Sequence, residues 1–230
     1  MKKVFQNIAK SVFDLNAWWA FAFICIFYWI AMAFQQYFIL TDEVYFNSLG
    51  EQLAYERIED ILDKQKSQAW LGYALTPLIA LIQIFLIVIC LNIGTILMVH
   101  PDGSGRGDRV KFRQLFSLVS KVMLIPAFLK IVLLCSIYFF YHVKSLDDLT
   151  NTFSFSLANF YDLKSLPVWL QYPLLTINLV ELLFWLLLAR GIQYLLKLDF
   201  SRSISFVGYT YGIGLLMWML FVVFLQVSLS

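Results

Sequence analysis

The chain has 230 residues, of which 61% are hydrophobic and 14% charged, with a formal net charge of +2. Soluble domains run nearer about 45–50% apolar and about 25% charged, so this composition excludes a soluble globular fold and describes a protein that dissolves in lipid. The small net charge, with no basic stripe, speaks against a nucleic-acid partner.

In chain order, residues 4–15 place Val4, Phe5, Ile8 and Val12 on one helical stripe beside Lys3 and Lys10, as expected of an amphipathic helix on a membrane surface or an extension of the first span. A hydrocarbon core about 30 Å thick takes roughly 20 apolar residues of helix to cross. Five runs are long enough: 17–40, 70–99, 115–141, 168–196 and 206–229. The first is too long for the apolar core of a signal peptide, and no small-residue cleavage site follows it. Between the first two runs, residues 48–66 carry Leu53, Ile58, Ile61 and Leu62 on an apolar face, with Ser48 and Glu51 at capping-box spacing. A short amphipathic helix is expected there. The sequence therefore predicts an all-α integral membrane protein, one membrane domain over 1–230 with five transmembrane helices.

The basic residues set the direction of the crossings. Lys2, Lys3 and Lys10 precede the first run. Arg106, Arg109, Lys111 and Arg113 fall between the second and third, and Arg190, Lys197 and Arg202 flank the turn between the fourth and fifth. The opposite side carries only Arg57, Lys64, Lys66, Lys144 and Lys164. The positive-inside rule then puts the N-terminus in the cytoplasm and, after five crossings, the C-terminus outside. The setting expected is the cytoplasmic (inner) membrane, with membrane lipids and other membrane proteins as partners.

Motifs for chemistry are sparse. The glycine-rich "PDGSGRGD" at 101–108 has neither the preceding strand nor the Lys-Ser/Thr of a phosphate loop. It reads as a turn whose Arg106, Arg109, Lys111 and Arg113 meet anionic head groups. Cys25, Cys90 and Cys135 lie in apolar runs without ligand spacing, and His100 and His142 have no Cys or His nearby, so no metal and no cofactor is expected. No H-E-x-x-H or G-x-S-x-G occurs, and no catalytic dyad assembles within the spans; the expectation is a protein without enzymatic activity. Gly208 and Gly212 form a small-xxx-small pair suited to close helix packing.

Two charges lie deep in the apolar runs. Lys130 is roughly 16 Å from Tyr141, and Glu181, the one acid within any run, is roughly 20 Å from Val168, counting helical rise. A lysine at mid-bilayer costs about 2.5–3.5 kcal/mol on insertion scales. The matching depths predict a buried Lys130–Glu181 pair with Asn178 adjoining, joined by Gln83 and Asn92; it serves as a clasp between helices or as a relay. Lys121, nearer a helix end, reaches the interface by snorkelling.

The stretch Gly105 to Pro126, "GRGDRVKFRQLFSLVSKVMLIP", follows a G…F-x-x-L-F-x-x…P pattern, and a short turn, "KLDFSRSISF", joins the last two spans. With the order of spans and loops, this resembles the Yip-like membrane proteins, and within them the compact prokaryotic type. The resemblance implies five spans, a cytoplasmic N-terminus, an external C-terminus and no catalytic residues. The expected function is a non-enzymatic accessory or scaffold protein acting through helix and lipid contacts. The alternatives are a small transporter or transporter subunit using Lys130, Glu181 and Asn178, and an immunity-type protein against a membrane-active toxin.

Overall fold

A computed structural model describes residues 16–50, 53–98, 110–141, 143–144, 146, 156–161 and 166–229. The expected surface helix at 4–15, together with Arg106, Arg109, His100 and His142, lies outside these residues. The fold is all-helical, and five of its helical segments are long and apolar enough to cross a membrane: Ala17–Ile39, Tyr55–Leu97, Phe112–Phe140, Leu179–Leu196 and Phe200–Ser228. The chain is a multi-pass membrane protein by that measure.

Helix α1 (Ala17–Phe34) starts at Asn16, whose Oδ1 accepts from the Trp18 N–H, and ends in a π turn over Gln35–Ile39. Helix α2 (Asp42–Leu49) opens with Asp42 and Glu43, acids that suit the positive end of the helix dipole. Helix α3 runs without a break from Tyr55 to Met98, 44 residues. At about 1.5 Å per residue it is about 66 Å long, twice the hydrocarbon thickness, so its charged N-terminal part stands clear of the bilayer. This corrects the expected helix over 48–66. Residues 48–49 end α2 and residues 55–66 begin α3. Ser48 is no N-cap, because it lies inside α2, where its hydroxyl donates to the Val44 carbonyl and accepts from the Leu146 N–H. Of the expected apolar face, Ile58 and Leu62 are buried and Ile61 is exposed. Lys66–Asp42, Gln65–Tyr45 and the stacked Phe46–Tyr55 rings join α2 to α3.

Helix α4 (Phe112–Phe140) is continuous through Pro126. The fourth crossing is not continuous: α5 (Val168–Thr176) stops, the chain turns extended at Ile177 and Asn178, and α6 (Leu179–Leu196) begins. Lys197, at φ 53°, reverses the chain into α7 (Phe200–Val207), which passes through a π turn at Gly208–Gly212 into α8 (Ile213–Leu229).

The core lies where α1, α3, α4, α6 and α7 meet. Ile24, Ile84, Leu91, Val119, Leu188 and Val207 are among its fully buried side chains. Helix α4 is central, packing on α1, α3 and α6, while α8 rests on α5 at the edge. Close approaches are made at glycines. A Cβ on Gly191 would run into Leu118, one on Gly94 into Thr210, and one on Gly214 into the Cys90 sulfur. A second cluster around Ala31, Ile39, Leu134 and Ile137 holds α1 to the end of α4.

Candidate membrane-depth polar site

The break in the fourth crossing builds the site. Helix α5 contains Pro173, whose carbonyl accepts from the Ile177 N–H at 3.2 Å, and the chain leaves the helix at Ile177. Broken helix ends in lipid need partners, because no water is present to take them. Asn178 serves both ends. Its Oδ1 accepts from the Glu181 N–H at 2.8 Å, capping α6, and its Nδ2 donates to the carbonyls of Leu175 (3.3 Å) and Thr176 (3.2 Å), closing α5. The Leu157 N–H donates to the exposed Ile177 carbonyl, so the segment 156–161 covers the gap. Asn178 therefore adjoins Glu181 as a cap, not as a neighbour along one continuous helix face.

The cap sets Glu181 in the first turn of α6, where a carboxyl suits the helix dipole. Its Oε1 accepts from Trp185 Nε1 at 2.8 Å, one turn on, and from the Tyr211 hydroxyl at 2.7 Å. Tyr211 comes from the π turn of the fifth crossing and is buried. Its ring meets Phe184 and Trp185 edge-on, with centroids 5.4 and 5.9 Å away. Glu181 is thus a clasp between the fourth and fifth crossings.

Lys130 is not the base on the other side of that clasp. Among the described residues the ion pairs are Lys64–Asp60 and Lys66–Asp42, both outside the apolar core. The Lys130 ammonium lies 5.7 Å from the centre of the Tyr28 ring on α1, within cation–π range. The expected direct pair is corrected in this sense: α4 and α6 bring both side chains to one cavity of about 290 Å³, yet each bonds elsewhere. Tyr28, Gln83, Asn178 and Tyr211 supply the cavity's other polar groups. Gln83 therefore joins the cluster as expected. Asn92 does not line the cavity; its carbonyl accepts from the Thr95 hydroxyl within α3.

The glycine pair divides. Among the described residues a Cβ on Gly208 would meet nothing within 4 Å, whereas one on Gly212 would lie 2.8 Å from the Trp185 ring. Of the expected pair, Gly212 is therefore the one that makes a close approach, to a ring on α6. Gly212 makes room for the indole that binds Glu181 and so is a helix-packing glycine as expected; Gly72, Gly94, Gly191 and Gly214 make further close approaches. Lys111 and Arg113 are exposed at the start of α4, and Lys121 is half-buried two turns further on. The cysteines are free: Cys25 is buried, Cys90 and Cys135 partly so.

Tyr28, Trp185 and Tyr211 escape a reading of the sequence. Trp185 sits four residues after Glu181, a spacing that signals contact on a helix. Nothing local distinguishes Tyr211 from the other tyrosines of the chain. Chemically, the arrangement holds a carboxyl by two donors and presents an ammonium, an amide and a phenol ring to a small cavity. Among the described residues no group of His, Cys, Asp and Glu could hold a metal. The chain matches no family model, no curated protein and no solved structure.

Proposed function

We propose that this is a non-enzymatic accessory or scaffold protein of the cytoplasmic membrane, working through contacts with lipids and other membrane proteins. The orientation proposed with it puts the N-terminus inside and the C-terminus outside. The exposed Lys111, Arg113, Arg190, Lys197 and Arg202 then lie together on the cytoplasmic side. The compact Yip-like assignment belongs to the same reading and rests on the order of spans and turns in the chain. One observation carries the scaffold reading. The acid at membrane depth is held as a packing clasp by Trp185 and Tyr211, beside a core built mainly of apolar side chains in which the buried polar groups among the described residues are the hydroxyls of Thr95, Ser120, Ser156 and Ser203. A proton or ion path needs a connected series of polar groups.

A second reading, a small transporter or transporter subunit, is favoured by the cavity that Lys130 and Glu181 share. The two readings differ in water access. A single cysteine placed at Leu133, on the cavity wall, stays unlabelled by a membrane-impermeant maleimide in a scaffold and reacts in a transporter. A cysteine added at the C-terminus tests the orientation. It is expected to label in intact cells, and labelling only after permeabilisation overturns the proposed direction.

A further inference from the structure

Away from the polar cavity, the ends of α4 and α6 nearest Phe112 and Leu196 form two adjoining grooves. One, of about 340 Å³, is lined from α4 by Arg113, Gln114, Ser117 and Lys121 and from α6 by Gly191 and Tyr194. The other, of about 650 Å³, is lined by Arg190, Gln193, Tyr194 and Lys197. Tyr194 belongs to both and is 90% exposed. Neither groove is lined by an acid among the described residues; Asp199, the nearest along the chain, is exposed at the N-cap position of α7 and lines neither.

The sequence builds these faces by spacing. Arg113, Ser117 and Lys121 recur every four residues on α4, and Arg190, Gln193, Tyr194 and Lys197 follow steps of three, one and three on α6. Each set therefore lies on one side of its helix. Gly191 lets the two helices close on Leu118, which forms the floor of the first groove. The Arg190 guanidinium is already oriented, donating to Gln193 Oε1 at 2.8 Å and stacking 5.5 Å from the Phe200 ring centre.

Depth matters as much as charge. By helical rise, Lys121 lies about 14 Å from the start of α4 and Arg190 about 9 Å from the end of α6, while Arg113 and Lys197 sit at the helix ends. The cations thus come in two tiers, with a tyrosine between them at the level where aromatic rings meet head groups. A soluble anion would need only the outer tier. A phosphate tethered to acyl chains reaches the inner one.

From this geometry we propose that the paired grooves are a binding site for the phosphates of an anionic phospholipid, one bearing two phosphates filling both. This rests on the reading of the chain as a membrane protein that acts through lipid contacts, and it names the lipid class. The site is tested on the full chain in detergent, by native mass spectrometry and by thermal unfolding with added lipid. Diphosphatidylglycerol is expected to stay bound and to raise the unfolding temperature, phosphatidylglycerol to do so less, and phosphatidylcholine and millimolar inorganic phosphate not at all. Lys121→Gln with Arg190→Gln is expected to lower affinity for diphosphatidylglycerol about 25-fold, about fivefold per cation removed. Equal retention of phosphatidylcholine, a response to inorganic phosphate alone, or undiminished binding by the double variant overturns the site. If the double variant does not fold, competition between lipids on the unaltered chain decides alone. The measurement is made in micelles and does not depend on orientation or on protein partners. Failure of the broader functional reading therefore shows in the sidedness and labelling experiments and not here.

Discussion

The two ends of the bundle treat the backbone differently. Toward Phe112, Leu196 and Phe200 the helices are unbroken, the contacts are made at Gly191 and Gly94, and the interior is apolar apart from the buried hydroxyls of Thr95, Ser120 and Ser203. From mid-membrane toward the far end the crossings are interrupted. Helix α1 widens into a π turn, α3 contains Pro77, α4 contains Pro126, the fourth crossing breaks at Asn178, and the fifth has its own π turn. Interruptions free backbone groups, and in lipid these must find partners within the protein. The α3 case shows how. Pro77 has no N–H to give to the Tyr73 carbonyl four residues back, and Trp29 Nε1 on α1 donates to that carbonyl at 2.9 Å. At Pro77 and at the Asn178 break, polar side chains of the far half therefore do structural work, whereas at the basic end Arg113, Arg190 and Lys197 are exposed.

The contrast is sharpest at Glu181. Replacing it with Leu removes the shared acceptor of Trp185 and Tyr211 and leaves two donors without their partner in an apolar setting. A stability loss on the order of 2–4 kcal/mol is expected, read by reversible unfolding in mixed micelles. Glu181→Gln, which keeps an acceptor, is expected to lose less. Equal losses for the two would mean that the clasp contributes little.

At the basic end the expected weak point is steric. Gly191→Val drives a side chain into Leu118 and is expected to cost about 1–3 kcal/mol, checked by the same unfolding measurement. A pair with Leu118→Ala should recover part of the loss. No recovery would place the strain elsewhere than at the α4–α6 contact.

Trp29→Phe is a smaller test of the interrupted half. It keeps an aromatic ring and strips the donor from the Tyr73 carbonyl, for an expected loss of about 1 kcal/mol. An unchanged unfolding midpoint would show that the freed carbonyl needs no side-chain partner.

The smallest effect belongs to the two deep charges. Because Lys130 and Glu181 line one cavity without forming an ion pair, a double-mutant cycle with Lys130→Met and Glu181→Gln is expected to give a coupling of about 0.5 kcal/mol, the low end for groups that share a cavity. A larger coupling would restore the direct pair that depth alone suggests.

The helical class and the five crossings are legible in the sequence, because the number of consecutive apolar residues needed to cross a bilayer is a one-dimensional quantity. The basic clusters and the polar candidates Lys130, Glu181, Asn178 and Gln83 are legible too, since each stands out against an apolar background. What each candidate bonds to is not. Depth along a helix says how far two groups lie from the membrane surface, but it does not say which way they point around the axis. The break at Asn178 turns Glu181 toward Tyr211 on a different crossing, and the packing of the fifth crossing on α6 sets Tyr211 and Gly212, both in its π turn, against Glu181 and Trp185. Those orientations follow from how one helix packs on the next, so only the tertiary structure decides that the acid is held by a tyrosine and an indole while the lysine faces a cavity over a tyrosine ring.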